Sequence, residues 1–596
     1  MTNHINLKIM NSQIIEDIVN KLERAGASLV VAPAKSGKST NIPLRIYNEV
    51  LKKNPEGRIF VVEPTENGAK SLSNFVSRIQ KKKIIGYLDE NTELSKISSK
   101  IVYMSVTTLV QLLFDNMKLK NDDYYLASVI VLSNVMVEDV FVNLVQYVWQ
   151  YLSLEGRRVP YLLLTSSIGG ELSVIKSEVP VTTIQPKDYR PTEIIYSTFD
   201  SKADSLVEDV TDTIINARRT QFYEGKFLVF VPTGQMISQI EALLSKKMKE
   251  GETFHKNVFI TTEKETDIPH GEYSLVIDSC FSMSGKKIKH SIKAVCETRA
   301  GYARHCKRLL TQNNYENLSA GKIGIASLER LLRVSLHLSD GGIDYRNFFV
   351  NNNIPENLRR KVERTISELD LTFPDGTLNK KGEFASQLAL DGYSSICIYE
   401  LLKVKKDILA EIMVLATVSS CGMQLFDRDF AAFKDESDLV VVANIVFEFL
   451  KTSLSLREFA KEFKLKERNL RQVVEKTDSI IAALFRIGYD IPQDVSVEDP
   501  GQLVQSLEPV LMKVYSKSLL KHEYGDIYSC GKNYSWQPMF PQDKDSPPSE
   551  SLVPLVVEEF YTNGGMKRRV TLGHPVNDLN VGESYTDDID KSLADL

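Results

Sequence analysis

Short runs of consecutive apolar residues alternate with amphipathic stretches through the first half of this chain. Gln13 to Glu23 carries apolar residues at helical spacing, and Ala27-Ser28-Leu29-Val30-Val31 then predicts a buried strand. Arg58 to Val62, Ser128 to Leu132 and Tyr161 to Leu164 predict three more. Continuous apolar runs separated by helices predict a parallel sheet covered on both faces. The pattern restarts at Lys226 to Val231 and continues with Val258 to Ile260 and Leu275 to Ile277. Two successive α/β units predict two doubly wound domains with a cleft between them. After about Asn313 the strand runs fade, and amphipathic segments such as Ser327 to Leu336 and Tyr399 to Ala416 replace them. From about Pro492 short alternating runs return with Gly, Pro and Asn turns. Ser551 to Val557 and Arg569 to Leu572 predict a small β-barrel, with Asp543 to Ser549 as a loop within it. Asp587 to Leu596 reads as a mobile acidic tail.

Composition narrows this picture. At 596 residues the chain exceeds what one core can bury, and the size prior suggests about four domains. A net charge of −5 excludes a global basic field, so any nucleic-acid binding must come from local grooves. Cys280, Cys296, Cys306, Cys397, Cys421 and Cys530 lack paired spacing, which argues against a zinc site and a disulfide framework and for a reducing compartment. Met1 to Met10 has no hydrophobic signal core, and no apolar run reaches the ~20 residues a bilayer span needs. The expectation is a soluble intracellular protein, of cytoplasm or nucleus, without membrane insertion.

The first strand runs into Ala32-Pro33-Ala34-Lys35-Ser36-Gly37-Lys38-Ser39-Thr40, and a helix is predicted from Pro43 to Leu51. Strand, Gly-Lys-Ser turn, helix is the setting of a phosphate-binding loop. Amides at the helix start can cradle phosphate oxygens, Lys38 would reach the β/γ-phosphates and Ser39 would ligate Mg²⁺. Residues 34–40 are therefore the expected site for ATP or another NTP with Mg²⁺.

Further stretches follow in order. They are Phe60-Val61-Val62-Glu63-Pro64-Thr65, Gly86-Tyr87, Ile101-Val102-Tyr103-Met104, Glu265-Thr266, Val276-Ile277-Asp278-Ser279, and Leu378 to Gly382 with Leu388 to Asp391. Together they resemble superfamily 2 helicases of the DEAH/RHA type, and the loop is also similar to that of hepacivirus-like helicases. The resemblance covers nearly the whole chain. It implies two RecA-like domains at 1–188 and 189–313, a winged helix at 314–383, a helical ratchet-like bundle at 384–490, an OB-like barrel at 491–586 and the tail at 587–596. It implies single-stranded RNA as a partner, with contacts at Thr65, Ser105, Thr107, Thr261 and Thr266.

The departures from that family are as informative. Where its Asp-Glu-x-His motif should follow Leu132, the chain has Ser133-Asn134-Val135-Met136. Ser133 stands for the Mg²⁺-holding Asp, Asn134 for the water-positioning Glu and Met136 for the coupling His. Glu138 and Asp139 read as a solvated helix start, where carboxylates favour the dipole. In the last motif, Thr298-Arg299-Ala300-Gly301-Tyr302-Ala303-Arg304-His305, the arginine-finger positions hold Tyr302 and His305, with Arg304 a substitute after a local shift. Glu66 is acidic where nucleic-acid phosphate should pass. Thr165-Ser166-Ser167 keeps the hydroxyls of its motif.

An arginine finger is worth about 10³–10⁵ in rate, or roughly 4–7 kcal/mol of barrier. Losing carboxylates and fingers together leaves little turnover, whereas phosphate binding needs only the amides, Lys38 and Ser39. The stretch Lys461 to Arg468, with Arg471, predicts a basic helix, and Lys464, Lys466, Arg468 and Arg471 are its candidate RNA contacts. Its interleaved Glu residues fit a plain surface helix equally well. Lys81-Lys82-Lys83 reads as a solvated face, Lys567-Arg568-Arg569 is a further basic cluster, and Tyr528, Tyr534 and Trp536 suit barrel packing more than base stacking. The favoured function is an RNA-binding scaffold or regulator with hydrolysis lost or weak, with a protein partner or activator on the C-terminal domains. The alternatives are an active NTP-dependent RNA helicase with unorthodox residues, and a protein-interaction module without either ligand. Compactness and divergence suggest a viral origin.

Overall fold

The computed structural model describes residues 12–33, 36–50, 57–80, 84–89, 92, 94–118, 127–133, 135, 139–167, 179–184, 192–219, 225–247, 257–262, 273–284, 287–318, 328–388, 390–420, 425, 437–492, 499–524, 527–529, 533–536, 551–562 and 565–576. They fall into two compact units, residues 1–334 with 343–359 and residues 335–342 with 360–596. Among the described residues no helix is long and apolar enough to cross a membrane.

The first unit contains two parallel sheets. The first has seven strands, β1 (Ala27–Val31), β2 (Ile59–Glu63), β3 (Ile85–Leu88), β4 (Ile101–Ser105), β5 (Val129–Leu132), β6 (Tyr161–Ser166) and β7 (Val181–Thr183), in the order β3-β4-β2-β5-β6-β1-β7. Its central strands are apolar on both faces because helices cover both, and β2, β4 and β5 are buried throughout. The helix Ser12–Ala25 packs Ile15, Ile18, Val19 and Leu22 inward, one stripe of a 3.6-residue period. All strands run the same way, so the residues following β1, β5 and β6 and the last residue of β2 share one carboxyl edge, where ligands of open α/β sheets bind. The Ser133 amide donates to Val62 O at 3.0 Å, which ties the tip of β5 to that of β2.

The second sheet orders as β10-β9-β11-β14-β8, from β8 (Glu193–Tyr196), β9 (Lys226–Phe230), β10 (Val258–Thr261), β11 (Tyr273–Asp278) and β14 (Ala303–Arg308). A hairpin of β12 (Phe281–Ser284) and β13 (Lys287–His290) lies between β11 and β14 in sequence. The charged run Ala303 to Arg308 gives no apolar signal, yet it sits between β11 and β8. Its charges are satisfied locally: Arg308 Nη2 donates to Glu297 Oε1 at 3.0 Å and its guanidinium stacks 3.9 Å from the Tyr315 ring. His305 Nδ1 lies 3.1 Å from Glu193 Oε2, its register partner on β8.

In the second unit the expected helix Tyr399 to Ala416 is two helices, Gly392–Val404 and Leu409–Ser420. The polar run Lys405-Lys406-Asp407 interrupts the apolar stripe. Lys405 is extended there, and its ammonium pairs with buried Glu411 across the break. The expected basic helix at 461–468 is likewise a junction: one helix ends at Glu462, Lys464 adopts φ +50°, and the next spans Glu467–Arg486. A closed barrel follows, β15 (Leu520–Tyr524), β16 (Ile527–Ser529), β17 (Asn533–Trp536), β18 (Ser551–Thr562) and β19 (Gly565–Val576), ordered β15-β16-β17-β19-β18. The two runs expected to be short strands extend into one long β18–β19 hairpin. Leu520, Tyr528, Leu552 and Val570 form the barrel core, so Tyr528 packs inward. The side chains of Tyr534, Trp536, Lys567, Arg568 and Arg569, the run Lys81 to Lys83, the loop 543–549 and the tail lie outside the described residues.

The barrel is fastened to the helix Asp438–Lys451. Buried Asp438 accepts from the Gly573 amide at 3.0 Å, and Ser437 Oγ lies 3.2 Å from His574 Nδ1. Burial lowers the His574 imidazole to about 4. Glu508 lies 4.0 Å from its Nε2, and burial raises that carboxyl, so it offers little charge in acid. The unfolded chain therefore takes up a proton below the usual histidine pKa that folded His574 refuses. Stability should fall by about 3 kcal/mol as pH drops from about 6.5 through about 4, from this group alone. Urea unfolding of the full chain should show this loss between pH 7 and pH ~4.5. The His574→Asn variant, which cannot titrate, should lose correspondingly less.

Candidate functional site

At the carboxyl edge of the first sheet, β1 leads into the turn Ser36-Gly37-Lys38-Ser39 and then the helix Asn41–Val50. Gly37 has φ +91°, and a Cβ on it would meet Asn41 Cβ at 2.9 Å, so the turn requires glycine. The amides of Asn41 and Ile42 donate to Gly37 O at 2.8 and 3.0 Å and start the helix. Lys38 is buried and donates to Ala32 O at 2.5 Å and Pro33 O at 2.7 Å, closing the turn on itself. Burial lowers its ammonium to about 8, against the pull of Glu63. Ser36 Oγ is buried without a hydrogen-bond partner among the described residues. A bare buried hydroxyl and a glycine-lined turn at a helix start fit an anion cradle. Ala34 and Lys35 lie outside the described residues, and Thr40 is half-buried at the end of the turn.

Beside this turn lies a carboxylate to which the sequence assigned no role. Glu63, the last residue of β2, is buried, and its Oε1 accepts from Ser133 Oγ at 2.7 Å. Ser133 Oγ is in turn 3.0 Å from Ser39 Oγ, so its hydroxyl links the loop serine to Glu63. Burial raises the Glu63 carboxyl, while the bonds from Ser133 and Ser39 and the charge of Lys38 oppose that rise. Tyr103 donates to Ser39 O at 2.8 Å, and burial, then Glu63, raises its phenol. The sequence carried one signal for Glu63: an acidic residue closing the otherwise apolar strand Ile-Phe-Val-Val-Glu, on the edge where ligands bind.

The second sheet faces this site with hydroxyls and packed rings. Ser167, after β6, lies with its Oγ 2.8 Å from Thr298 Oγ1. Tyr302 packs against Phe230, and its phenol is raised by burial first and then by the charge of Glu63. Arg299 is committed elsewhere: it donates to Asp278 Oδ1 at 2.7 Å and Phe281 O at 3.1 Å, with 3 % of its side chain exposed. Arg304 is exposed on β14 beside His305. Asn134, Met136 and Glu138 lie outside the described residues. Asp139 does more than meet solvent, since it caps the helix Val140–Leu154 and both its oxygens accept from Arg330 Nη2, at 2.7 and 3.0 Å. Folding also brings Asp278, Cys280 and Cys296 within 4.8 Å, which no spacing rule detects. Asp278 is held by Arg299, and the Cys296 bond and burial raise the Cys280 thiol, so the trio is buried packing.

The expected nucleic-acid residues are dispersed. Thr65 accepts from the Gly68 amide at 3.2 Å, and Ser105 bonds to both Thr107 and Thr108 at the start of the next helix. Thr261 is fully buried and donates to Thr262 O at 3.2 Å, and Thr266 lies outside the described residues. Glu66 begins the helix Glu66–Gln80 and accepts from Tyr87 at 2.8 Å. Lys464 and Lys466 are exposed, Arg471 pairs with Glu467 at 3.0 Å, and the Arg468 side chain lies outside the described residues.

No family model matches this chain, and no curated protein matches its sequence. A solved structure does: the DExH-box NTPase HrpB of E. coli aligns with a TM-score of 0.62 over 95 % of this chain and 69 % of that one. At 13 % identity the likeness is one of fold, and the chain has a helicase-like fold.

The buried Arg299–Asp278 pair predicts a stability effect. Arg299→Ala strands a buried carboxylate and should cost about 3–5 kcal/mol. Adding Asp278→Ala should recover part of that loss in urea unfolding. An Arg299→Ala protein as stable as wild type would contradict the structural role of the pair.

Proposed function

We propose that this chain is a DEAH/RHA-type RNA-helicase-like protein that binds NTP with Mg²⁺ and single-stranded RNA and hydrolyses NTP weakly or not at all. It would act as an RNA-binding scaffold or regulator, with its C-terminal domains open to a protein partner or activator. One observation carries the reading: the turn at 36–39 keeps its glycine and its lysine, while Ser133 stands at the tip of β5 and Tyr302 and His305 stand at the expected finger positions. Positioning and charge stabilisation make up most of phosphoryl-transfer catalysis, so a site without its finger forfeits about 10³–10⁵ in rate.

The residues present fit the nucleotide. Lys38 would exchange two carbonyl partners for phosphate oxygens, Ser36 would gain a partner for its bare hydroxyl, and Ser39 would ligate Mg²⁺. Bound nucleotide would supply the phosphate charge that compensates buried Lys38. The alternative of an active helicase has Glu63 in its favour, a carboxylate at the site. A single carboxylate without a finger serves binding better than turnover. The extent of the HrpB superposition supports the finer parsing, with a winged helix at 314–383, a ratchet-like bundle at 384–490 and an OB-like barrel at 491–586. On this parsing the RNA track relies on Lys464, Lys466, Arg468 and Arg471, since Glu66 places negative charge on the first domain.

Millimolar ADP or ATP with Mg²⁺ should raise the melting temperature by mass action, and Lys38→Ala should remove the shift. A wild-type protein unmoved by nucleotide makes the turn a relic. For RNA, alanine at residues 464, 466, 468 and 471 should weaken single-stranded RNA binding alike across sequences. The salt slope should fall by about 0.7 for each phosphate that the variant no longer neutralises. A folded quadruple variant with unchanged affinity and slope overturns the track and favours the protein-interaction reading.

A further inference from the structure

We infer that Glu63 completes the divalent-cation site of the nucleotide turn, a carboxylate supplied by β2 where the neighbouring strand β5 ends in Ser133. The inference rests on the nucleotide-binding reading above and concerns how the cation would be held.

Three observations converge. In phosphate-loop NTPases the metal is held by the loop hydroxyl together with an acidic residue from a neighbouring strand. Here the loop hydroxyl is Ser39, and the acidic group linked to it, through the Ser133 hydroxyl, is Glu63. Ser133, whose backbone continues β5, has no charge, but its hydroxyl lies between the two, 2.7 Å from Glu63 Oε1 and 3.0 Å from Ser39 Oγ. The carboxylate has thus moved one strand along the carboxyl edge while staying joined to the metal-ligating hydroxyl through Ser133. Finally, the site is short of positive charge. Glu63 is buried, and Lys38, the cation that acts on it, gives donors to Ala32 O and Pro33 O. A buried carboxylate without close pairing is costly unless it is neutral or a cation compensates it. A purely structural role, accepting one bond from Ser133, would be met as well by glutamine.

Mg²⁺ keeps several waters and uses one or two carboxylates plus substrate phosphates. Glu63 would act as such a carboxylate, directly or through a metal-bound water, with Ser133 orienting it. Outer-sphere partners of this kind change metal affinity by roughly 10–100-fold when removed.

The test measures fluorescent ADP binding to the full chain, in Mg²⁺ and in EDTA, with Mn²⁺ uptake into the ADP complex followed by electron paramagnetic resonance. Wild type should bind ADP more tightly in Mg²⁺. Glu63→Gln should keep the EDTA affinity and lose roughly 10–100-fold in Mn²⁺ affinity. Glu63→Gln/Ser133→Asp, which returns the carboxylate to β5, should restore the Mn²⁺ affinity. Should Glu63→Gln fail to fold by circular dichroism, Glu63→Asp and the double variant carry the same comparison. ADP binding whose metal dependence survives in Glu63→Gln overturns the inference and leaves nucleotide binding intact. Wild-type ADP affinity indifferent to Mg²⁺ does the same. No ADP binding under either condition overturns the nucleotide reading and the inference together.

Discussion

A carboxylate buried at the carboxyl edge of a parallel sheet is the constraint around which the candidate site is arranged. Glu63 could not sit there alone, because desolvation of an isolated carboxylate costs several kcal/mol. Its Oε1 accepts from Ser133 Oγ, which also meets Ser39 Oγ, and the charge of Lys38 acts on it. Those partners come from two segments, the turn after β1 and the end of β5, brought beside β2 by the strand order β2-β5-β6-β1. The Gly37 turn, the Tyr103 bond to Ser39 O and the ladder bond from the Ser133 amide to Val62 O keep them aligned. The same arrangement limits what the site can do. One carboxylate can compensate one cation, and no second acid among the described residues stands with it to orient a water.

The second sheet reinforces that limit. The positions expected to hold fingers are Tyr302 and His305, and the neighbouring Arg299 is anchored inside its own domain by Asp278 and by Phe281 O. Tyr302, in the family's first finger position, is near enough to sense Glu63 but carries no charge of its own. The Ser167–Thr298 contact is a hydroxyl link between the residue after β6 and the helix Lys293–Ala300.

Much of the fold was legible because buried parallel strands are written as uninterrupted apolar runs. β1, β2, β5, β6, β9, β10 and β11 all lie within a residue or two of their expected bounds. β14 was missed because its polar residues are satisfied by Glu297, Tyr315 and Glu193, partners that a sequence pattern cannot display. The helix breaks at Lys405 and Lys464 were missed for a related reason: apolar periodicity continued across short polar gaps where the chain turns. At the site, the Gly-Lys-Ser turn was readable from spacing alone. Glu63 was in view as part of a motif, but its partner Ser133 is 70 residues away, and only the adjacency of β2 and β5 joins them.

The central claim is that nucleotide is bound without being turned over. Single-turnover ATP hydrolysis tests it most directly, with protein in excess over labelled ATP, Mg²⁺ present, and single-stranded RNA added or omitted. The account predicts phosphate release no faster than that of Lys38→Ala, with or without RNA. RNA-stimulated release that Lys38→Ala abolishes would contradict it.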